Sequence, residues 1–265
     1  MTTVQSVIIS IVEGLTEFLP VSSTAHMKIT NPLIGVQIDS FEEMFEVVIQ
    51  LAAILSVVTV YWKKFLDFKS PTFYIKLIIA LIPAIIFGAL LKKHIDSALS
   101  NLTFIAFVMI GGGVLLLFVD KLFTKNEIKD EGEISYTKAG IIGCFQVLSI
   151  LLPGLSRSAA TIVGGMSQKL TRGLAAEFSF FLAVPTMFAA SVKSLWDLHK
   201  NDPAVLKDTS NLGTLAIGSV IAYIIALLSI KFFIGYLQKH GFKVFGIYRI
   251  ILGTVVLFLL YRGMI

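Results

Sequence analysis

The sequence is short of several residue types that mark common protein classes. It has one cysteine, Cys144, in 265 residues, so no disulfide can form within the chain. Charged residues make up 15% of it, against about 25% in typical soluble domains. The basic residues form no patch with interleaved aromatic side chains. The net charge of +5 therefore fits contact with anionic lipid headgroups, and no nucleic-acid partner is predicted.

Three further sequence features are absent. The N-terminus has no basic stretch, and Glu13 interrupts its apolar run, so no cleaved signal peptide is predicted. No glycine-rich segment ends in the G-K-[ST] of a nucleotide-binding P-loop, so ATP binding is not predicted. No low-complexity linker divides the chain, which predicts a single domain over residues 1–265.

Apolar residues, in contrast, make up 56% of the chain. Several windows approach the roughly 20 apolar residues that a helix needs to cross a bilayer. The sequence predicts an all-α integral membrane protein with six spanning helices and two broken, re-entrant helical segments. The first of these segments, 13–30, is predicted to be broken by Gly14 and Pro20. The predicted spans are 41–62, 73–91, 102–123, 177–196, 212–233 and 245–261, and shorter apolar pieces lie at 4–12 and 139–152.

Two polar segments inside the apolar stretches are similar to each other. The first is E-G-L-T-E-F-L-P-V-S-S-T-A-H at 13–26, and the second is Q-V-L-S-I-L-L-P-G-L-S-R-S at 146–158. At an offset of 133 residues Pro20 aligns with Pro153, and Ser23 aligns with Ser156. Similarity elsewhere supports two internal repeats, approximately 1–123 and 136–265.

Each repeat would hold one broken segment and three spans. If the broken segment enters the membrane and returns to its own side, the two repeats must have opposite orientations. Broken backbone at that depth must be buried in protein or face water, so we expect the two proline-centred tips to meet. Twelve basic residues, Lys69 among them, lie on one predicted side and seven on the other. This bias places both termini outside.

Glu13 and Glu17 are four residues apart, so on a helix their carboxylates share one face. Two carboxylates in a low-dielectric site need a shared cation or a proton. The functional interpretation is a divalent-metal site or a general base. The alternative is a helix end at the protein surface, where both glutamates are solvated.

Ser22, Ser23 and Thr24 follow Pro20, and His26 comes two residues later. Hydroxyls at such a position can cap a helix, and a lone histidine in an apolar helix is usually a core or interfacial residue. Because they are grouped with two glutamates within fourteen residues, they become candidates for substrate binding and catalysis. We assign substrate binding to Ser22 and Thr24 and a catalytic role to Ser23, and His26 is a candidate acid, base or nucleophile.

The second segment places hydroxyls and a guanidinium around a glycine turn, ahead of a helix of small residues. Ser156, Arg157 and Ser158 carry these groups. Backbone N–H groups at a helix N-terminus favour anions, and an arginine fork matches phosphate oxygens. The segment is predicted to bind phosphate. The alternative is an ion pair between Arg157 and a glutamate of the first segment, made purely for structure.

Other polar features lie within the spans. Gln50 is the deepest polar residue of its span and is predicted to line the same cavity, whereas the acidic turn at 42–46 is expected to be a solvated helix start. The glycines at 111–113 favour a close helix contact. Arg249 needs a partner that the sequence does not identify.

At these two motifs the chain resembles the undecaprenyl pyrophosphate phosphatase family of bacteria, also known as the bacitracin-resistance family. The resemblance lies in the motif at 13–26 and in P-G-L-S-R-S-A-A-T at 153–161. It extends through 45–55 and 178–187 to nearly the whole chain. The family usually has glycine where this sequence has Ala25 and Ala159.

The resemblance implies a membrane phosphatase that hydrolyses a polyprenyl diphosphate to the monophosphate, recycling the carrier lipid for peptidoglycan and other cell-wall synthesis. It implies a divalent cation, a site on the outer face of the cytoplasmic membrane, and roles for Glu13, Glu17, Ser23, His26 and Arg157. We expect Glu13 and Glu17 to hold Mg²⁺ or Ca²⁺. Attack by Ser23, with His26 or Glu17 as base, and attack by metal-bound water both stay open.

The alternative function is a transporter or flippase of lipid phosphates, because inverted repeats around a midplane site are typical of transporters. Phosphate release by the purified protein would separate the two functions. The preferred isoprenoid length and the oligomeric state, a homodimer included, stay open.

Overall fold

The structure is a computed structural model that describes residues 1–67 and 71–265; Lys69 lies outside them. The described chain is built from helices and two short 3-10 turns, Glu131–Glu133 and Val205–Lys207. The helices are α1 Thr3–Thr16, α2 Ser23–Leu33, α3 Ser40–Val60, α4 Trp62–Phe65, α5 Pro71–Leu90, α6 Lys92–Leu99, α7 Leu102–Leu122, α8 Tyr136–Leu151, α9 Arg157–Ser167, α10 Arg172–Asn201, α11 Thr209–His240 and α12 Lys243–Tyr261.

Six of the described helices are long and apolar enough to cross a membrane, namely α3, α5, α7, α10, α11 and α12. They coincide with the six predicted spans, and α10 and α11 extend beyond them at both ends. Large apolar side chains such as Ile78, Phe107 and Phe232 are exposed on their outer faces. Such faces suit contact with lipid tails. The predicted all-α, multi-pass membrane fold is confirmed.

Two hairpins of shorter helices accompany the long helices, one before α3 and one between α7 and α10. The first is α1 with α2 and the second is α8 with α9, and each turns at a proline-centred tip. The Gln5 side chain donates to the Ile34 carbonyl at 3.0 Å, which joins the outer ends of the first hairpin. Ile128 pairs with Leu170 beside the outer ends of the second. Each hairpin therefore returns to the end of the bundle from which it starts.

The first hairpin breaks later than the sequence indicated. Gly14 was expected to break the chain together with Pro20, but α1 continues through Gly14 to Thr16, and that expectation was wrong. A Cβ built on Gly14 would lie 2.7 Å from the Ala222 carbonyl oxygen of α11. The glycine therefore serves close packing of α1 on α11, and the break falls at Pro20.

The two halves follow the same order, a hairpin and then three long helices. The first hairpin packs on α11 through α1, and the second packs on α5 through α8, so each contacts a long helix of the other half. The core also draws on both halves, since Phe18 and Phe180 pack edge to face at 5.0 Å. The correspondence has limits, because α3 contacts α11 far more extensively than α5 contacts α10. The inverted repeat stays a prediction.

The close helix contact predicted at the glycines of α7 is confirmed for two of the three. A Cβ on Gly113 would lie 2.8 Å from the Gly246 carbonyl oxygen of α12, and one on Gly246 would lie 2.7 Å from the Gly113 carbonyl oxygen. Gly112 faces Arg249, whereas Gly111 faces open space. The backbones of α7 and α12 therefore touch, which fixes the position of α12.

Candidate active site

Each hairpin tip ends at a serine that caps the following helix. Ser22 has φ 72° and Ser156 has φ 77°, a region that residues with a side chain rarely adopt. The Ser22 hydroxyl accepts from the N–H of Ala25 at 3.3 Å, and the Ser156 hydroxyl accepts from the N–H of Ala159 at 3.2 Å. The two tips therefore share one backbone shape, held by one kind of cap.

This shape corrects the alignment of the two motifs. The equivalent caps are Ser22 and Ser156, and the equivalent helices begin at Ser23 and Arg157. The sequence comparison placed Ser23 opposite Ser156, which was wrong. The second tip has one more residue between its proline, Pro153, and its cap. The first residue of each short helix is therefore a hydroxyl in one hairpin and a guanidinium in the other.

The predicted meeting of the two tips is confirmed. The Nη2 of Arg157 lies 2.5 Å from the Oε1 of Glu17. The Ser158 hydroxyl donates to the Leu19 carbonyl at 3.0 Å and lies 2.9 Å from the Ser156 hydroxyl. Ser158, assigned to substrate binding, thus joins the second tip to the backbone of the first.

Glu17 is the centre of the polar contacts between the tips. Its Oε2 accepts a hydrogen bond of 2.5 Å from the Ser23 hydroxyl, while its Oε1 pairs with Arg157. Arg157 also donates from Nη1 to the Ser179 carbonyl at 3.2 Å. A hydroxyl that donates to a carboxylate has the geometry that a nucleophile and its general base require. The ion pair that was foreseen as the structural alternative is also present. It joins Arg157 to Glu17, the carboxylate that accepts from Ser23.

A cavity of about 80 Å³ lies between the two tips. Gln50 lines it, as predicted, and donates to the Thr24 hydroxyl at 3.4 Å. The helices α2 and α9 both begin at its wall, so two helix N-termini face the same space, and each favours negative charge. The residues that line the cavity are Glu17, Ser22, Ser23, Thr24, Gln50, Ser156, Arg157 and Met187.

His26 is not among these lining residues. One ring nitrogen, Nδ1, lies 2.7 Å from the Ser22 carbonyl, and the other, Nε2, lies 2.7 Å from the Tyr248 hydroxyl of α12. The Tyr248 and His26 rings are also nearly parallel, at an interplanar angle of 3°. Both nitrogens are engaged behind the first tip, and a catalytic role for His26 stays a prediction.

Glu13 is fully buried, and neither of its carboxylate oxygens has a hydrogen-bond partner. Glu17, Ser23 and Glu46 lie near enough to act on its charge. A solvated helix end, the alternative for these glutamates, is thus wrong, since Glu13 and Glu17 are 0% and 8% exposed. An unpartnered buried carboxylate is unfavourable and fits a cation. No three His, Cys, Asp or Glu side chains form a metal site within the described ranges, so further ligands would be hydroxyl, water or substrate oxygens.

The acidic first turn of α3 is not the solvated helix start that the sequence indicated. Glu42 and Glu46 are buried, and only Glu43 is exposed. The reason is that α2 supplies partners for both. The Lys28 ammonium lies 2.9 Å from Glu46 and 3.7 Å from Glu42, and the Asn31 amide donates to both carboxylates. These contacts hold α2 against α3 on the side of Glu13.

Two residues of α12, Tyr248 and Arg249, contact the tips although sequence reasoning gave them no role. Tyr248 binds His26, and Arg249 donates to backbone carbonyls of both tips. The only sequence signal was a charged residue deep in an apolar span. Its partners are carbonyl oxygens, which a sequence does not display.

Fold and site together define a class, that of multi-pass membrane proteins with a buried polar site suited to an anionic group. Residues 6–255 match the family described as Bacitracin resistance protein BacA. The chain belongs to this family, and the resemblance noted in its two motifs is confirmed.

Relatives with similar sequences cover nearly the whole chain. A protein of Flavobacterium psychrophilum named undecaprenyl-diphosphatase is 50% identical over 257 residues, which are 97% of this chain and 95% of the relative. A protein of the same name from Porphyromonas gingivalis is 48% identical over 279 residues, covering 99% of this chain and 98% of the relative. Another from Bdellovibrio bacteriovorus is 41% identical over 266 residues, with 99% and 98% covered.

Proposed function

We propose that the protein is an undecaprenyl-diphosphatase of the bacterial cytoplasmic membrane. It hydrolyses undecaprenyl diphosphate to the monophosphate and so returns the carrier lipid to cell-wall synthesis. The observation that carries this proposal is the chain of contacts from Ser23 through Glu17 to Arg157. Phosphoryl transfer needs a nucleophile, a base and positive charge at one place, and these three side chains provide them. The names of relatives 48–50% identical to the chain support it.

The diphosphate enters the cavity between the N-termini of α2 and α9, while the isoprenoid tail stays among apolar helices. The Ser23 oxygen attacks phosphorus as its proton passes to Glu17. The bond from phosphorus to the bridging oxygen breaks, Glu17 gives its proton to that oxygen, and the polyprenyl monophosphate leaves. Water then attacks the phosphoserine, with Glu17 as base, and releases phosphate. The second route, in which water attacks directly and Ser23 only donates a hydrogen bond, uses the same base.

Glu17 couples proton transfer to charge stabilisation in either route. In the structure its carboxylate pairs with Arg157. Once Glu17 takes a proton its negative charge is lost, and the attraction to the guanidinium weakens. Arg157 is then free to bind the phosphoryl oxygens, where negative charge is developing. A planar fork suits those oxygens better than an ammonium.

A divalent cation, Mg²⁺ or Ca²⁺, is part of the proposal. Glu13 and Glu17 would hold it, because the unpartnered carboxylate of Glu13 provides two free oxygens. Its chemistry there is neutralisation of the diphosphate charge. Hydroxyls of the first tip and oxygens of the substrate would supply the ligands that two carboxylates leave unfilled.

We further propose that the site opens to the outer face and that both termini lie outside, on the basis of the basic-residue bias. The inverted arrangement of the halves belongs to the same proposal. It is supported by hairpins that each return to their own end. Whether the protein forms a homodimer stays open.

The test is phosphate release by the purified protein in detergent, with undecaprenyl diphosphate and either Mg²⁺ or Ca²⁺. We expect release that a chelator suppresses. Glu17→Gln should lower it by about 10²–10⁴-fold, the usual contribution of a general base, whereas Glu43→Gln, an exposed neighbour on α3, should not. A flippase releases no phosphate, so a protein that binds the lipid without releasing phosphate would overturn the proposal.

A further inference from the structure

Arg249 of α12 is the largest fully buried side chain among the described residues, at 0% exposure. All three of its nitrogens donate to backbone carbonyl oxygens. Two of these bonds reach the second tip and one reaches the first. The bonds run from Nη1 to Leu155 at 2.6 Å and Pro20 at 3.2 Å, from Nη2 to Gly154 at 2.9 Å and Val108 at 3.5 Å, and from Nε to Met109 at 3.3 Å.

The charge of this arginine has no carboxylate partner. Every ion pair in the described part of the chain joins other residues. A buried cation is costly unless each of its N–H groups is bonded. Guanidinium is the one side chain whose fixed fork of five donors can satisfy several carbonyls at once. An apolar side chain would fill the space without this cost, so packing alone does not account for an arginine here.

We infer that Arg249 is a positioning residue that locks the first tip to the second and so sets the distance between Glu17 and Arg157. Its partner Pro20 lies two residues before the cap Ser22, and its partners Gly154 and Leu155 directly precede the cap Ser156. The inference rests on the proposed function, because the groups it aligns are those of the phosphatase mechanism.

The backbone of α12 that carries Arg249 is itself held in place by α7. Arg249 is three residues from Gly246, where the backbones of α7 and α12 touch. A Cβ on Gly113 would lie 3.1 Å from the Cβ of Arg249, so α7 leaves no room for the arginine to retreat. Because α12 cannot slide on α7, the guanidinium holds the tips at one place.

The decisive variant is Arg249→Lys, which keeps the charge and loses the fork. We expect turnover to fall about 10²-fold, as for a misplacement of about 1 Å. Hydrogen exchange should rise in both tips, in peptides that contain Pro20 and Gly154, and stay unchanged along α7 and α12. Arg172→Lys is the matched control. Arg172 pairs with Asp120 at 2.7 Å, away from the tips, and its replacement should leave turnover and tip exchange unchanged.

A double variant separates positioning from general stability. If Arg249 acts by placing Arg157, then Arg249→Lys should cost little in a protein that already carries Arg157→Lys. Independent losses would multiply. Should Arg249→Lys fail to fold, Arg249→Gln provides a neutral side chain that donates but cannot reach both tips, and the same rise in tip exchange is expected.

Multiplied losses, unchanged tip exchange, or a rise spread evenly over the protein would each overturn the inference. The exchange measurement needs no substrate. An unmodified protein that released no phosphate would therefore refute the proposed function, while the exchange in both tips would still decide whether Arg249 holds them together.

Discussion

The two hairpin tips have nearly the same backbone and opposite chemistry. Both turn at a proline, both cap an 11-residue helix with a serine at positive φ, and both caps accept from the third N–H along. At the first position of those helices one tip has Ser23 and the other has Arg157. Three residues on, one has His26 and the other has Ala160.

The difference explains why the tips can meet. The first hairpin supplies both carboxylates, Glu13 and Glu17, whereas the positions equally far before the proline of the second are Gln146 and Ile150. Two acidic tips facing each other in a low-dielectric site would repel strongly. One acidic and one cationic tip attract, and the contact between Glu17 and Arg157 is the result. A shared backbone therefore brings together unlike groups that neither hairpin holds alone.

The largest expected effect concerns the first position of the first tip. If Ser23 is the nucleophile, Ser23→Ala should abolish a phosphoenzyme trapped by acid quench and lower turnover by on the order of 10⁶-fold, as in a serine hydrolase. If water attacks directly, the loss should be about 10²–10³-fold, the cost of one donor.

Thr24→Val is the matched control, since this hydroxyl lines the same cavity but bonds Gln50 rather than Glu17. Its effect should be the smaller one. A Ser23→Ala protein that kept a tenth of its turnover would contradict both mechanisms.

The equivalent position of the second tip should give the next largest effect. Arg157→Lys is expected to lose about 10²–10³-fold in turnover although the charge is kept, because an ammonium cannot offer two parallel donors to a phosphoryl group. Steady-state phosphate release measures it. Turnover near that of the unmodified protein would mean that Arg157 acts only as a point charge or only in folding.

A smaller effect is expected from the carboxylate that only the first hairpin has. Glu13→Gln should raise the Mg²⁺ or Ca²⁺ concentration needed for half-maximal turnover by about 10–100-fold, the usual cost of a weakened metal site. The stabilisation of the protein by the metal, measured as a shift of the unfolding temperature, should weaken in parallel. Identical metal titrations for Glu13→Gln and the unmodified protein would place the cation elsewhere.

The smallest expected effect is on stability, and it concerns the serine cap at positive φ that both tips have. Positive φ at a residue with a side chain costs about 1–3 kcal/mol, and glycine relieves it while losing only a few tenths of a kcal/mol as a cap. Alanine keeps the strain and loses the cap, at about 1 kcal/mol. At Ser22 and at Ser156, the glycine variant should therefore unfold at a higher temperature than the alanine variant. An alanine variant equal to the glycine variant at either tip would show that its backbone lacks this strain.

Much of the fold could be predicted from the sequence, because apolar runs and prolines are local signals. The six spans and the breaks at Pro20 and Pro153 needed no knowledge of contacts. The register of the two motifs was missed, because identical letters favoured Ser23 with Ser156 while the backbone pairs Ser22 with Ser156. One residue between proline and cap decides this, and only torsion angles reveal it.

Some contacts of the candidate site could likewise be predicted from the sequence, and others could not. An ion pair of Arg157 with Glu13 or Glu17 was foreseen as the structural alternative, because opposite charges in an apolar setting have few other choices. The burial of Glu42 and the contact of His26 with Tyr248 were not foreseen, because they depend on how α2 packs against α3 and α12. Contacts to carbonyl oxygens, as at Arg249, leave no trace in side-chain patterns at all.

The buried side chain of Arg249 needs a glycine beside it, at position 112 of α7. A Cβ on Gly112 of α7 would overlap the guanidinium of Arg249, whereas one on neighbouring Gly111 would meet open space. No residue of α7 lines the cavity, yet a single methyl group at Gly112 would push the guanidinium against the carbonyls of both tips. Tolerance to mutation along this helix is therefore not set by lipid contact alone. In a saturation library Gly112 should behave like an active-site residue, while Gly111, one position earlier, accepts alanine.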